Sequence, residues 1–206
     1  MLSSMGTGDR GQGWEKMLLW WILVNAVGGA IVGALEESGF QFLATLILTG
    51  PILGVAQWFV LRRYLRYAYW WILASTFGWL LGIQVRIATG RILDPIVEML
   101  LAVGGLGEVF WLNVVKEPVT AVGLGIAQWL ILRHYSNQAG WWIVANVLGG
   151  CVNGAVSSAV CAAICQTLAM KLNAGIASAI AYGTGWAGSG LVTGIMLVWL
   201  FSNRHK

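Results

Sequence analysis

Residues 17–35 read MLLWWILVNAVGGAIVGAL, nineteen residues without one charged side chain. An α-helix rises about 1.5 Å per residue, so this stretch reaches about 28 Å, close to the hydrocarbon thickness of a bilayer. The stretch therefore predicts a transmembrane helix, and it sets the class of protein to be expected from the rest of the chain.

The composition of the whole chain agrees with that class. AVILMFWYC residues make up 58% of the 206 residues and DEKR residues only 10%, whereas an average soluble domain is about 25% charged. Disordered chains are poor in apolar residues, so disorder is excluded as well. No run of Lys and Arg is long enough to indicate a nucleic-acid surface, and we expect no nucleic-acid partner.

Further apolar segments follow the first one, and Pro118 suits the first turn of its helix. We predict an all-α fold, a polytopic transmembrane helical bundle of about six spans. The later segments are residues 40–61, 67–85, 118–132, 140–170 and 174–201.

A repeated pattern marks the first helix of three hairpins. Each opens with a Trp pair, followed by a small polar residue and then by glycines four residues apart. Small residues at this spacing let two membrane helices approach closely, so we predict packing faces. The repeated positions are Trp20-Trp21, Trp70-Trp71 and Trp141-Trp142; Asn25, Ser75 and Asn146; and Gly29/Gly33, Gly78/Gly82 and Gly150/Gly154.

The second helix of each hairpin carries a small-residue pair and, in two copies, a Gln-Trp-x-x-Leu-Arg element. The distance from Gln57 to Gln128 is 71 residues, and so is the distance from Trp70 to Trp141. Three hairpins in the same orientation predict parallel repeats about an axis along the membrane normal. The small pairs are Gly50/Gly54, Ala121/Gly125 and Gly190/Gly194, and the third copy replaces Gln-Trp with Val198-Trp199.

These repeats set the expected domain boundaries. Asp94 before Pro95 is typical of a capped helix start, in a segment too short and too broken by glycine to span. The expected parts are an N-terminal tail (1–16), three hairpins (17–66, 67–137 and 138–201) and a C-terminal tail (202–206). Residues 91–115 are an interfacial or re-entrant insertion, and residues 158–172 are re-entrant, interfacial or an additional span.

The basic residues predict the orientation. With six spans, eight of the twelve Lys and Arg residues fall on the side of both termini, which the positive-inside rule places in the cytoplasm. The eight are Arg10, Lys16, Arg62, Arg63, Arg66, Arg133, Arg204 and Lys206.

Candidate binding residues are uncharged. Asn25, Gln57, Gln128 and Asn146 either tie helices together by hydrogen bonds or contact a ligand. Trp58 and Trp129 belong to a one-sided belt of tryptophans, which either anchors the protein at the interface or holds a flat apolar ligand. The spans contain almost no charged residues, which argues against ion-coupled transport.

No catalytic or metal-ligating arrangement is evident. His134 and His205 have no evident Cys, Ser or carboxylate partner, and we expect no enzyme and no metal site. Cys151, Cys161 and Cys165 are expected to be packing residues rather than a disulfide framework.

The segments GVAQWFVLRR (54–63), GIAQWLILRH (125–134) and AGWWIVANVLGG (139–150) resemble uncharacterised polytopic membrane proteins of bacteria, particularly of cyanobacteria and Chloroflexi-type phototrophs. The likeness extends over about residues 17–201. It implies a prokaryotic plasma or thylakoid membrane, and it implies no activity.

Three functional hypotheses remain. The first is a non-enzymatic accessory, assembly or scaffold subunit, partnered by the lipid bilayer and by subunits of a larger membrane complex. The second is a small carrier or channel for an uncharged or apolar solute. The third is a binder of a lipid, quinone or pigment; no other cofactor is expected.

Overall fold

The computed structural model describes residues 7–104 and 107–203, with side chains from residue 13 onward. All regular structure in these residues is helical. The elements are α1 (Thr7–Leu35), a π-helical turn (Glu36–Phe40), α2 (Gln41–Leu43), a second π-helical turn (Ala44–Leu48), α3 (Thr49–Leu61), α4 (Trp70–Ala88), α5 (Gly90–Gly104), α6 (Glu108–Leu132), α7 (Trp141–Lys171) and α8 (Ala174–Ser202).

Six of the helices form a closed ring. Within the described residues α1, α3, α4, α6, α7 and α8 each pack on the next one along the chain, and α8 returns to pack on α1. The short helix α5 lies outside the ring, mainly against α6. The predicted all-α helical bundle is confirmed.

Five stretches of the described chain are long and apolar enough to cross a membrane. The first of them, Gly13–Leu61, contains two of the predicted spans. The chain reverses between them at Gly39, whose backbone φ of 86° interrupts the helix, and α1 and α3 then pack side by side. This conformation is open to glycine and costs other residues about 1–2 kcal/mol. The architecture is that of a multi-pass membrane protein.

Helix boundaries differ from several expectations. Helix α6 begins at Glu108, ten residues before Pro118, which therefore lies inside the helix. Asp94 lies within α5 and does not cap it, because that helix begins at Gly90. Its carboxylate instead pairs with Lys116 of α6 at 2.7 Å, which fixes α5 on the ring. Residues 158–171 continue α7 as regular helix.

The predicted tails are partly helical or lie outside the described part of the chain. Helix α1 already begins at Thr7, so most of the predicted N-terminal tail belongs to the first helix. Residues 1–6 and 204–206 lie outside the described residues.

Each Trp pair divides between the inside and the outside of the ring. Trp21, Trp71 and Trp142 are almost completely buried, and their rings meet edge to face with centroids 5.7–6.3 Å apart. Successive helix residues point about 100° apart, so the first Trp of each pair faces outward and is about half exposed. We call the end of the bundle that holds the three buried rings the tryptophan end.

Glycines bring each hairpin close to the next. A Cβ added to Gly54 would lie 3.0 Å from the Cα of Ile72, and one on Gly125 would lie 3.2 Å from the Cα of Ile143. In the third copy Gly190 makes the corresponding approach, 3.3 Å from the Cα of Ile22. The third hairpin is therefore shifted by one helical turn from the predicted register, in which Gly194 was the counterpart of Gly54.

Glycines of the first helices approach different neighbours. Gly29 and Gly33 lie against α8, whereas Gly78 and Gly82 lie against α6 of their own hairpin. Gly150 and Gly154 face α6 of the preceding hairpin. Added Cβ atoms would meet Pro118 and Asn113 there within 3.0 Å. These contacts leave no room for side chains.

Candidate functional site: a polar cavity at one end of the bundle

The side chain of Gln57 links the first hairpin to the second next to the three buried tryptophans. Its Nε2 donates to Oδ1 of Asn25 at 2.8 Å, within its own hairpin. Its Oε1 accepts from the indole Nε1 of Trp71 at 2.7 Å, in the next hairpin. Both ends of the amide are therefore used inside the protein.

Gln128 repeats this arrangement one hairpin later. Its Nε2 donates to Oγ of Ser75 at 2.9 Å and lies 3.3 Å from Oε1 of Gln57. Its Oε1 accepts from Nε1 of Trp142 at 3.0 Å. The second hairpin is thereby bonded to the third.

Thr193 takes the place of the glutamine in the third hairpin. Its Oγ1 accepts from Nε1 of Trp21 at 3.0 Å, which returns the chain of hydrogen bonds to the first hairpin. The one-turn shift described above puts this threonine, and not Val198, at the position of Gln57 and Gln128. The repeated pattern did not reveal it, because Thr is shorter than Gln and Thr193 lies five residues nearer the helix start than Val198.

The predicted ligand residues therefore divide into two groups. Asn25 and Asn146 are buried and donate to the backbone oxygens of Trp21 and Trp142. Together with both glutamines they serve internal hydrogen bonds. Trp58 and Trp129 are partly buried and carry guanidinium groups over their rings, those of Arg62 and Arg133 at 5.2 and 5.5 Å. A ligand role for these six residues stays a prediction.

A cavity of about 250 Å³ opens at the other end of the bundle. We call this the cavity end. All six ring helices or the turns between them contribute to the walls. The lining includes Glu36, Glu37, Thr45, Asn113, Glu117, Asn153, Ser158 and Tyr182.

Carboxylates make this cavity acidic. Glu117 accepts from Arg86 at 3.0 Å, so these two charges offset each other between α6 and α4. Glu36 accepts a hydrogen bond from the hydroxyl of Thr45 at 2.5 Å, and Glu37 lies exposed beside it. Three glutamates line the cavity and one arginine pairs with one of them, so the formal charge of the site is negative.

Neutral polar groups extend the acceptor surface. Asn153 is 7% exposed, and its Oδ1 has no hydrogen-bond partner among the described residues. Nearby, Nδ2 of Asn113 donates to Oγ of Ser158 at 2.8 Å. A buried carbonyl without a donor is costly, so Asn153 is suited to accept from water or from a bound donor.

Tryptophans form the floor of the cavity. Trp79 and Trp186 line it, are nearly buried and lie with ring centroids 6.0 Å apart. Nε1 of Trp79 donates to the backbone oxygen of Thr45, which holds the floor against the second π-helical turn. This layer and the three buried rings beyond it separate the cavity from the tryptophan end.

Sequence reasoning missed this site. Glu36, Arg86 and Glu117 lie just outside the apolar segments from which the spans were predicted. The helices extend past those segments, however, so Arg86 and Glu117 lie within α4 and α6 and meet near the cavity. The available signal was that six of the eight acidic residues lie between predicted spans on the side opposite the termini.

The cysteines also differ from expectation. Cys161 and Cys165 are joined by a disulfide within α7, with their Cα atoms 4.7 Å apart. Residues four apart share one helix face, which permits the bond. Cys151 is free. The prediction of unbonded packing residues was wrong for the pair.

Among the described residues, no group of three or more His, Cys, Asp or Glu side chains is arranged to hold a metal ion. Comparisons with protein-family models, with curated proteins and with solved structures found no match to this chain.

Proposed function

We propose that this protein is a multi-pass membrane carrier that binds a small organic cation in the cavity. The supporting observation is a cavity that is closed at its inner end and lined by three glutamates, of which only Glu117 is paired with an arginine. The buried side-chain carbonyl of Asn153 in the same cavity has no hydrogen-bond donor among the described residues. Ammonium groups supply both a positive charge and several donors. A volume of about 250 Å³ suits a solute of a few heavy atoms more than a large ligand.

This proposal modifies the carrier hypothesis drawn from the sequence. The solute is charged, and its site lies at the cavity end and not at Gln57 and Gln128. The accessory-subunit hypothesis needs no such cavity, and we rank it second. It would take first place if the protein, extracted gently from its native membrane, co-migrated in fixed stoichiometry with a larger complex.

The positive-inside rule supplies an orientation for the carrier. Lys16, Arg62, Arg63 and Arg133 lie at the tryptophan end, which we place in the cytoplasm. The cavity then opens to the opposite face of the membrane. A membrane-impermeant thiol reagent should label E37C in intact cells, and protection of that site until lysis would reverse the orientation.

Binding can be tested on the purified protein with defined probes. Ethanolamine, choline and putrescine should raise the Tm of the wild type, since a ligand that binds only the folded state stabilises it by mass action. Ethylene glycol, which replaces the amine of ethanolamine with a hydroxyl, should not. If none of the three cations exceeds ethylene glycol, cation binding is excluded.

A matched pair of variants assigns the site. Glu36→Gln keeps an oxygen to accept from Thr45 and removes one charge, so it should weaken binding of the cation without unfolding the protein. Glu98→Gln removes the same charge from the exposed face of α5 and should leave binding unchanged. Uptake of the best probe into proteoliposomes then distinguishes a carrier from a binding protein.

A further inference from the structure

An apolar groove runs along the outside of the ring between α1 and α3. Its volume is about 550 Å³. Nearly all of its surface is hydrocarbon or aromatic, and it contains no charged side chain. Its walls include Trp20, Val24, Val27, Ile31, Val55 and Phe59.

The groove becomes basic at the tryptophan end. A second cavity of about 480 Å³ shares Trp20, Val24 and Phe59 with the apolar groove, so the two are continuous. Lys16 of α1 and Arg62 and Arg63 at the end of α3 line this part.

These three cations have no carboxylate partner in the described part of the chain. The ion pairs found there join Arg86 to Glu117 and Lys116 to Asp94, at the far side of the molecule. The Arg62 guanidinium lies 5.1 Å from the ring centroid of Phe59, which holds it over the groove wall. The basic end is therefore positioned to receive an anion.

We propose that this groove binds one anionic phospholipid, with its phosphate at Lys16, Arg62 and Arg63 and an acyl chain along the apolar walls. From Lys16 to Ile31 the helix rises about 22 Å, which matches one leaflet including its headgroup region. Only an amphiphile fills both parts of the groove. The proposal does not depend on the carrier function.

A second groove, at the position in the next hairpin that corresponds to the basic end of the first, provides an internal comparison. It lies between α4 and α6, has a volume of about 470 Å³ and is lined by Arg66, Trp70, Leu130 and His134. Arg66 corresponds to Lys16, because each lies four residues before its Trp pair. His134 corresponds to Arg63, because each lies six residues after its Gln. Arg133, the counterpart of Arg62, does not line this groove, and His134 stands where the first groove has an arginine. The charge of the second groove is therefore lower, and we expect weaker lipid binding there.

The experiment is a lipid titration of the delipidated protein followed by native mass spectrometry. Phosphatidylglycerol and phosphatidylcholine with identical acyl chains are the probes. The wild type should retain one phosphatidylglycerol at a concentration at which phosphatidylcholine is lost. Equal retention of the two lipids would overturn the proposal. Displacement of the lipid by glycerol phosphate alone would do the same, because it would show a simple phosphate site.

Matched double variants locate the site. Lys16→Gln with Arg63→Gln should weaken phosphatidylglycerol binding about 10- to 30-fold, given that each basic residue near an anionic surface contributes to binding. Arg66→Gln with His134→Gln should change the first bound lipid less than threefold. An equal effect of both doubles would contradict the assignment.

A steric pair tests the acyl-chain part and keeps every charge. Val55→Trp fills the groove and should weaken phosphatidylglycerol binding, whereas Ile126→Trp, 71 residues later, should not. Both positions are exposed on the ring surface, so folding should survive in each. Unchanged binding in Val55→Trp would overturn the proposed chain path.

Discussion

The indole N–H of Trp21 donates to the hydroxyl of Thr193 across 3.0 Å, joining the first long helix to the last. The two residues are 172 positions apart in the chain. Their bond completes a cycle whose other members are Trp71 with Gln57 and Trp142 with Gln128. The bundle is therefore closed by polar contacts around a fully buried aromatic centre.

Thr193→Val should destabilise the protein by about 1–3 kcal/mol. Valine keeps the shape of threonine but leaves the buried Trp21 N–H without an acceptor. Thermal unfolding in detergent measures the change. Thr184→Val is the control, because that hydroxyl is exposed and bonds to the backbone of its own helix. Equal losses in the two variants would show that the closing bond contributes nothing specific.

Gln57→Leu should lower stability while leaving cation binding in the folded protein intact. The substitution deprives Trp71 of its acceptor and Asn25 of its donor, and each lost partner costs about 1–3 kcal/mol. Unfolding and ethanolamine titration should be compared in the same preparation, with exposed Gln84→Leu as control. Loss of binding at unchanged stability would move the ligand site back to the glutamines.

Gly50→Ala should force α3 away from α4. The added Cβ would lie 2.7 Å from the backbone oxygen of Ser75 and 2.9 Å from the Cα of Thr76, and neither can move without its helix. Overpacking of this kind costs about 1–3 kcal/mol. Gly140→Ala is the matched control, with open space around the position and helical backbone angles. A Tm equal to that of the control would refute the close approach.

The all-α fold could be predicted from the pattern of apolar residues along the chain. The burial of small residues between helices could be predicted from their spacing. In a bilayer, a long uncharged stretch such as residues 17–35 can form all its backbone hydrogen bonds only within a helix or a closed barrel. The apolar composition therefore restricts the fold to these two classes. The glycines at positions 54 and 125 face the neighbouring helix because their spacing puts them on one stripe.

The register of α8, the second helix of the third hairpin, could not be predicted from the repeated sequence pattern. The Trp at position 199 resembles Trp58 and Trp129 in type but not in place, since Gly190 and Thr193 are the residues that meet α1. The match of one tryptophan does not fix the register of α8. The register is fixed by the contacts of Gly190 and Thr193 with α1, which are known only once the helices are packed.

The sequence by itself determined that this protein is a bundle of membrane-length helices, because hydropathy and small-residue spacing act within one helix and its immediate neighbour. The tertiary structure alone decided where Glu36, Arg86 and Glu117 lie and which tryptophan of each pair faces inward. Those positions depend on the length and rotation of six helices around a common centre, and no single segment carries that information.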